Sequence, residues 1–388
     1  MKKLIFYVFA MMFSFCLFSG QIFSSSIVQA KNNDKIFTDS KASFLYEANS
    51  KTVILDNNAD MRLPIASMTK VATLAIVFDA IEENKITVDE FVKVSQRAAD
   101  TEGSQAFLDA GSEYKVGDLI MTVVVASAND SSVALAEHVA GSEQKCVDKM
   151  NKLAQELNLK NTHFENVTGL PAVDHYSSAR DISMIYSGVC DNDLYKKYSK
   201  IWNTEIVHPS GRKTDITNTN RLIRSYEGCD SGKTGYTSQA GYCLVASATR
   251  QDMRLVGVVI GANDSKQRFN QMSSMFNHGF NSYQNQLIIS KEVPIVQADI
   301  SNSRVKQINL YVQRDYIKFL NRGESFEYSL DFKIDKLKAP LSEGKECGYV
   351  FVIDNNNMVV EQIPLVVKEE VKAVTFKEIL DKIYSKII

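Results

Sequence analysis

The chain has 388 residues, 45% of them apolar and 23% charged, and 44 Lys and Arg nearly balance 46 Asp and Glu for a formal charge of −2. This is the make-up of an ordinary globular protein with room for two or three domains. No basic surplus points to nucleic acid, and no run of like charge points to an interaction tail.

The chain opens MKKLIFYVFAMMFSFCLFSG, with Lys2 and Lys3 before an apolar run and the polar stretch QIFSSSIVQA after it. Val28 and Ala30 are small residues at −3 and −1 of a cut after Ala30, so residues 1–30 read as a secretory signal peptide. A retained anchor is the alternative. A lipoprotein modified at Cys16 fits less well, because Phe15 before it is large. Losing Lys2 and Lys3 moves the formal charge from −2 to −4.

Ala42 to Leu55, ASFLYEANSKTVIL, reads as a hairpin around a polar turn. PIASMTK follows, with Ser67 three residues before Lys70 and the apolar run VATLAIVFDAI directly after. The middle of the chain, to about Arg180, reads as mostly helical. VGDLIMTVVVAS and DSSVALAEHVAG are apolar helices parted by the turn SAND, and QKCVDKMNKLAQELNL has helical periodicity. Ser178 and Asp181 in SSARDISMIY have the spacing of a capping box. Strand character returns after Lys233. YCLVASATR and MRLVGVVIGA are joined through Gln251 and Asp252, and a closing helix follows in SKQRFNQMSSMFNHGFNSY. This order predicts an α/β core whose sheet is shared between the two ends of the segment.

Ile288 to about Glu370 reads as a small all-β domain. FEYSLDFKI alternates, with Phe326, Tyr328, Leu330, Phe332 and Ile334 on one face, and YVFVI and MVVEQIPLVV flank the turn DNNN. In the last segment, VKAVTFKEILDKIYSKII, apolar Phe376, Ile379, Leu380, Ile383 and Ile387 fall at helical spacing with lysines mostly off the stripe. Such a helix is too short and too charged to span a bilayer but can lie in its interface. A helix docked on the β-rich domain is the alternative. The expected division is therefore 1–30 signal peptide, 31–285 catalytic domain, 286–370 β-rich domain and 371–388 amphipathic helix.

Cys146, Cys190, Cys229, Cys243 and Cys347 are odd in number and widely spaced. Only Cys229 and Cys243 are close enough in sequence to suggest a disulfide, and buried free thiols suit all five. The five histidines are scattered without HExxH or zinc-ligand spacing, so no metal and no cofactor is expected.

Chemistry concentrates in three stretches. On a helix, Ser67 and Lys70 share a face. A serine hydroxyl needs a base, and a lysine serves as one only if burial or a nearby cation keeps part of it neutral. Ser127 and Asn129 in SAND can turn a hydroxyl and an amide into one cleft, or merely cap the next helix. Lys233, Thr234 and Gly235 lead into a strand where glycine permits close approach of a ligand or backbone. Singly these are weak signals. In this order they match the Ser-x-x-Lys, Ser-x-Asn and Lys-Thr-Gly set of serine penicillin-interacting enzymes.

Together with NRLIR, HYSSARD, KTGYTSQAGYCLVASATR and the later LKAPLSEGKECGYV, the motifs make the chain resemble a low-molecular-mass penicillin-binding protein, a serine-type D-alanyl-D-alanine carboxypeptidase of the peptidase S11 type. The resemblance covers nearly the whole chain after residue 30. It implies the α/β penicillin-binding, β-lactamase-like transpeptidase fold, followed by the all-β domain and the C-terminal amphipathic helix. The implied substrate is a peptidoglycan stem peptide ending in D-Ala-D-Ala, with β-lactams as covalent inhibitors. Ser67 is implied as nucleophile, Lys70 as general base and Ser127 as proton relay. Asn129 would hold the peptide, and Lys233 and Thr234 its terminal carboxylate. The backbone N–H groups of Ser67 and Tyr236, beside Gly235, would form the oxyanion hole. A looser match adds Arg268 as a carboxylate contact. The implied location is exported, on the outer face of the cytoplasmic membrane or in the wall, with the last helix on the membrane surface. One alternative is a β-lactamase, which needs a water-activating glutamate; Glu165, followed by Asn166, Val167 and Thr168, does not fit that pattern. Another is a catalytically weak wall-binding protein, against which intact Ser67, Lys70, Ser127 and Lys233 argue.

Overall fold

The structure is a computed structural model and describes residues 39–378. The expected signal peptide and residues 379–388 of the expected terminal helix lie outside the described residues. Two compact units emerge. One ends at Ala248 and resumes over Leu255–Met275, and the other takes Thr249–Arg254 and the chain from Phe276 on.

The first unit starts with the expected hairpin, β1 (Ala42–Glu47) antiparallel to β2 (Val53–Asn57). A single 3-10 turn, Ala66–Thr69, runs straight into helix α1 (Lys70–Glu82). Nine of the thirteen residues of α1 are buried, Lys70 among them. A helix apolar on nearly every side belongs inside a core rather than on its surface, which is why this lysine is out of water. The short strands β3 (Phe91–Lys93) and β4 (Glu113–Lys115) pair next. Helices α2 (Val116–Ala126), α3 (Asn129–Ala140), α4 (Glu143–Glu156), α5 (Ala179–Asp191) and α6 (Asp193–Ser199) supply the helical middle. The capping box at α5 is half formed. Ser178 Oγ accepts from the Asp181 N–H, but the Asp181 carboxylate turns away to Asn161 N and Thr162 Oγ1.

A hairpin that the sequence reading lacks follows, β5 (Asn203–Val207) with β6 (Lys213–Thr217). Strands β7 (Cys229–Thr237), β8 (Gly241–Arg250) and β9 (Met253–Ala262) then complete a five-stranded sheet in the order β2-β1-β9-β8-β7. Pairing of β1 with β9, from Ala42–Ile260 to Glu47–Leu255, joins the two ends of the segment as expected. Strand β7 begins at Cys229, earlier than the sequence suggests, so Lys233, Thr234 and Gly235 lie inside a strand at the sheet edge. Helix α7 (Ser265–Ser282) comes next. All five described cysteines are free thiols. Cys229 pairs in register with Ala248 and Cys243 with Gly235, so no disulfide links them.

After the end of α7, the second unit is built of strands, from β10 (Tyr283–Ile289) through β11 (Val296–Ser301), β12 (Gln307–Val312), β13 (Tyr316–Asn321), β14 (Tyr328–Ile334), β15 (Leu337–Lys338) and β16 (Glu346–Asp354) to β17 (Val359–Val366). Its six-stranded sheet runs β14-β16-β17-β12-β11-β15 over a core that includes Leu310, Val350, Val352, Ile363 and Leu365. The DNNN hairpin is the β16–β17 pair, and β14 alternates as expected, half-buried at Leu330, Phe332 and Ile334. The terminal helix does not begin at Val371. Val371 and Ala373 bridge to Leu341 and Ser303 as extended chain. Thr375 and Glu378 form a reciprocal capping box, Thr375 N to Glu378 Oε2 at 2.9 Å and Glu378 N to Thr375 Oγ1 at 3.4 Å, so helical backbone starts at residue 376. Among the described residues, no helix is long and apolar enough to cross a membrane.

Candidate active site

Ser67 sits in the 3-10 turn and is half-buried. The residue before it, Ala66, has φ +48°, a left-handed conformation that costs a non-glycine residue about 1–2 kcal/mol. Two glycines meet this turn. A Cβ on Gly169 would lie 1.9 Å from the Ala66 carbonyl oxygen, and one on Gly235 would lie 2.8 Å from the Ile65 carbonyl oxygen and 3.0 Å from Ser67 N. Only glycine lets the loop at 169 and strand β7 approach so closely, which presses the Lys-Thr-Gly strand against the serine's backbone N–H.

Lys70 Nζ is 2.9 Å from Ser67 Oγ and donates to the Thr168 carbonyl at 2.7 Å. Burial drives its pKa well below the usual lysine range, and the charge of Lys233 lowers it further; Asp130 opposes both. Lys233 Nζ donates to Ser127 Oγ at 2.6 Å and to the Thr234 carbonyl at 3.0 Å. Burial, and then Arg268, lower the Lys233 pKa to about 7. Ser127 takes φ +63° as α2 ends, and α3 begins two residues later at Asn129. This sharp junction is what SAND encodes, and it brings Ser127 to the β7 lysine. Asn129 is buried. Its Nδ2 donates to the Glu102 carbonyl, and its Oδ1 has no partner. Thr234 is buried, whereas Tyr236 is exposed and packs on Tyr242 with ring centroids 4.4 Å apart.

The three motifs therefore converge as two lysine–serine pairs in one cleft, with strand β7 alongside. Arg268 lies close enough for its charge to act on Lys233. Its Nη1 donates to the carbonyls of Gly235 and Cys243, each at 3.1 Å, so it ties β7 to β8 from within. Glu165 is exposed and lies 3.4 Å from His163. The same loop offers Lys70 a backbone carbonyl, not a carboxylate.

Sequence reasoning missed Asp130, fully buried beside Asn129, and His175, whose Nε2 is 2.7 Å from Thr69 Oγ1. The fourth residue of SAND was a signal for the first; His175 had none beyond lying in HYSSARD. Among the described residues, no cluster of three or more His, Cys, Asp and Glu could hold a metal.

A serine just after the left-handed Ala66, with a buried lysine three residues on, a second lysine–serine pair and a glycine-bearing edge strand define a serine acyl-transferring hydrolase of the penicillin-interacting class. Residues 28–264 match the peptidase S11 family model, described as D-alanyl-D-alanine carboxypeptidase, and residues 283–373 match the penicillin-binding protein 5 C-terminal domain. Among similar proteins are D-alanyl-D-alanine carboxypeptidase DacF of Bacillus subtilis, 34% identical over 89% of this chain and 89% of that one, and DacC of Escherichia coli, 33% identical over 86% and 84%. Similar solved structures include penicillin-binding protein 5 from Haemophilus influenzae, with TM-score 0.69 and 30% identity over 87% of this chain and 98% of that one. Another is the Streptomyces K15 DD-transpeptidase, with TM-score 0.59 and 27% identity over 63% and 98%. The chain belongs to the D-alanyl-D-alanine carboxypeptidase family, peptidase S11, with the penicillin-binding transpeptidase fold and a C-terminal all-β domain.

Proposed function

We propose that this enzyme cleaves the terminal D-alanine from peptidoglycan stem peptides by the following division of labour. Neutral Lys70 takes the proton of Ser67 as Oγ attacks the carbonyl carbon of the penultimate D-alanine. The oxyanion that forms is met by the backbone N–H groups of Ser67 and Tyr236. Ser127 passes a proton to the departing amine, and the C–N bond breaks to leave an acyl-ester on Ser67. Water then releases the shortened peptide. Lys233 and Thr234 hold the substrate's terminal carboxylate, and Asn129 holds the peptide. The juxtaposition of the two buried lysine–serine pairs, at 2.9 and 2.6 Å, is the observation that carries this reading. A penicillin would acylate the same serine and remain bound, because the loop facing Lys70 contributes a carbonyl where rapid deacylation calls for a carboxylate. That is why a β-lactamase is not favoured.

Mass spectrometry after incubation with penicillin tests the reading. The wild-type protein gains the mass of the drug and Ser67→Ala gains none; labelling that survives the substitution removes Ser67 from the mechanism. Lys70→Ala slows acylation by about 10²–10⁴-fold, the usual contribution of a general base. A near-normal rate would exclude Lys70 as the base.

We also propose export by the N-terminal segment, action at the outer face of the cytoplasmic membrane, and peripheral attachment through the C-terminal segment. The charge and apolar pattern of the two ends supports this.

A further inference from the structure

Loop 163–176 meets the lysine-bearing helix through two consecutive carbonyls. The Thr168 carbonyl accepts from Lys70 Nζ at 2.7 Å, and the Val167 carbonyl accepts from Thr73 Oγ1 at 2.7 Å. Lys70 and Thr73 stand three residues apart on α1, so they share a face, and the loop docks along it. The loop is closed at its neck by His163 and Tyr176, whose backbones exchange hydrogen bonds of 2.9 and 3.0 Å. Its tip has neither helix nor strand and is folded by one half-buried side chain. Asn166 Oδ1 accepts from Thr168 N at 3.1 Å, Thr168 Oγ1 at 3.1 Å and Gly169 N at 2.7 Å, and Asn166 Nδ2 donates to the Leu170 carbonyl at 2.9 Å. Three donors around the oxygen and an acceptor at the nitrogen fix which way this amide points. Thr168 C=O and Gly169 N–H belong to one planar trans peptide unit, so they point in opposite directions. Asn166 holds one end of that unit and Lys70 the other.

We propose that Asn166 is a positioning residue for the general base: by gripping the Gly169 N–H it aims the Thr168 carbonyl at Lys70 Nζ. A neutral amine has a single lone pair. That pair faces Ser67 Oγ only when the two N–H bonds are turned elsewhere, and the Thr168 carbonyl takes one of them. The inference rests on the reading of Lys70 given above and deepens it, since it names what sets the direction of the base. The segment that lacks a deacylating glutamate thus serves acylation through its backbone.

Two variants at this position test it, and both leave in place Lys233 and Asp130, the charges that act on Lys70. Stopped-flow acylation of the purified protein over a range of benzylpenicillin concentrations separates the limiting rate from the apparent affinity, and a pH series locates the acid limb. Asn166→Ala frees the peptide unit and lowers the limiting rate by about 10–10²-fold, the scale of a small misplacement of a reacting group, with the apparent affinity unchanged. Its acid limb moves to lower pH, because a carbonyl bonded to Lys70 favours the ammonium form and that bond is weakened. Asn166→Asp keeps an acceptor for Thr168 and Gly169 and recovers most of the rate, while its negative charge moves the acid limb to higher pH. A loop that is merely loosened does not shift one limb in opposite directions. Thermal melting above the assay temperature certifies that each variant is folded; if Asn166→Ala falls short, Asn166→Asp decides, and an unmoved limb there overturns the proposal. An unchanged limiting rate in folded Asn166→Ala, a loss carried by apparent affinity alone, or a limb that stays put in both variants also overturns it and leaves Lys70 as the base. A near-normal rate in Lys70→Ala defeats the underlying reading instead.

Discussion

His175 accepts a hydrogen bond from the Glu165 N–H at Nδ1, 3.0 Å away, so its one ring proton belongs on Nε2, facing Thr69 Oγ1. A second ring proton would set N–H against N–H. Burial, with a smaller push from His163, lowers its pKa from 6.5 to about 4. The folded value lies below the unfolded one, so as pH falls the unfolded chain takes up the proton first. The contribution to stability is whole above 6.5 and is lost between 6.5 and about 4. At 1.36 kcal/mol per pKa unit, the loss is about 3 kcal/mol. Denaturant unfolding across that window should show it in the wild type, and His175→Gln should flatten that part of the curve. A wild-type stability flat through the window would show that the ring is not held neutral. The lysines give the opposite limbs of a rate profile. Lys70 must be neutral to act as a base, so kcat/KM falls as pH drops through its depressed pKa. Lys233 must be charged to hold a carboxylate, so kcat/KM also falls as pH rises past about 7. Arg268→Gln removes a positive neighbour and should move this alkaline limb upward; an unmoved limb would mean that the guanidinium acts only as a tie between strands. Ser67, Lys70, Ser127 and Lys233 were legible in sequence because the chemistry needs those side chains at those spacings. The Thr168 and Glu102 carbonyls were not, since a backbone atom carries no sequence signature.

Strand β7 and the 3-10 turn meet over a gap that only hydrogen fills at Gly235. Gly235→Ala should force the strand away from Ser67 N and spoil the geometry of the oxyanion site. Removing one oxyanion donor typically costs about 10²–10³-fold in kcat, and this substitution should cost acylation a similar factor with little change in melting temperature. Acylation within a few-fold of wild type, measured by stopped-flow, would mean that the strand does not help to stabilise the oxyanion. Elements with a strong period were legible. The helices from Val116 to Glu156 and the β8–β9 pair bury long apolar faces, and the DNNN turn between β16 and β17 announces itself. The β5–β6 hairpin was missed because NTEIV and KTDIT each bury one isoleucine, too few for a pattern. Helix onset at the C-terminus was misplaced for a local reason: the Val371 and Ala373 side of the junction pairs as extended chain, and the Thr375–Glu378 box sets the start.

At the scale of the whole molecule, the side chains proposed for catalysis all belong to the first unit, and the second unit ends in the segment proposed to meet the membrane. The shared sheet could be inferred from chain order, since apolar strands at both ends of a helical segment have little else to pair with; the strand order itself could not. The attachment proposal rests on charge and apolar spacing, with the apolar stripe from Phe376 to Ile387 flanked by Lys372, Lys377, Lys382 and Lys386. Phe376 is 75% exposed, so at least the first residue of that stripe is not docked on the β-rich domain. Basic residues near an anionic surface contribute about 1 kcal/mol each, and an apolar face seated in the interface adds to this. The truncation should respect the capping box. Ending the chain at Val374 keeps the Val371 and Ala373 bridges and removes the whole helix start. Co-sedimentation should then find the longer protein with anionic vesicles at low salt and the truncated one in the supernatant, while neutral vesicles hold little of either. Hydrolysis of a soluble D-Ala-D-Ala peptide should be the same for both. Equal sedimentation of the two proteins with anionic vesicles would rule out the tail as the anchor and turn attention to the β-rich unit itself.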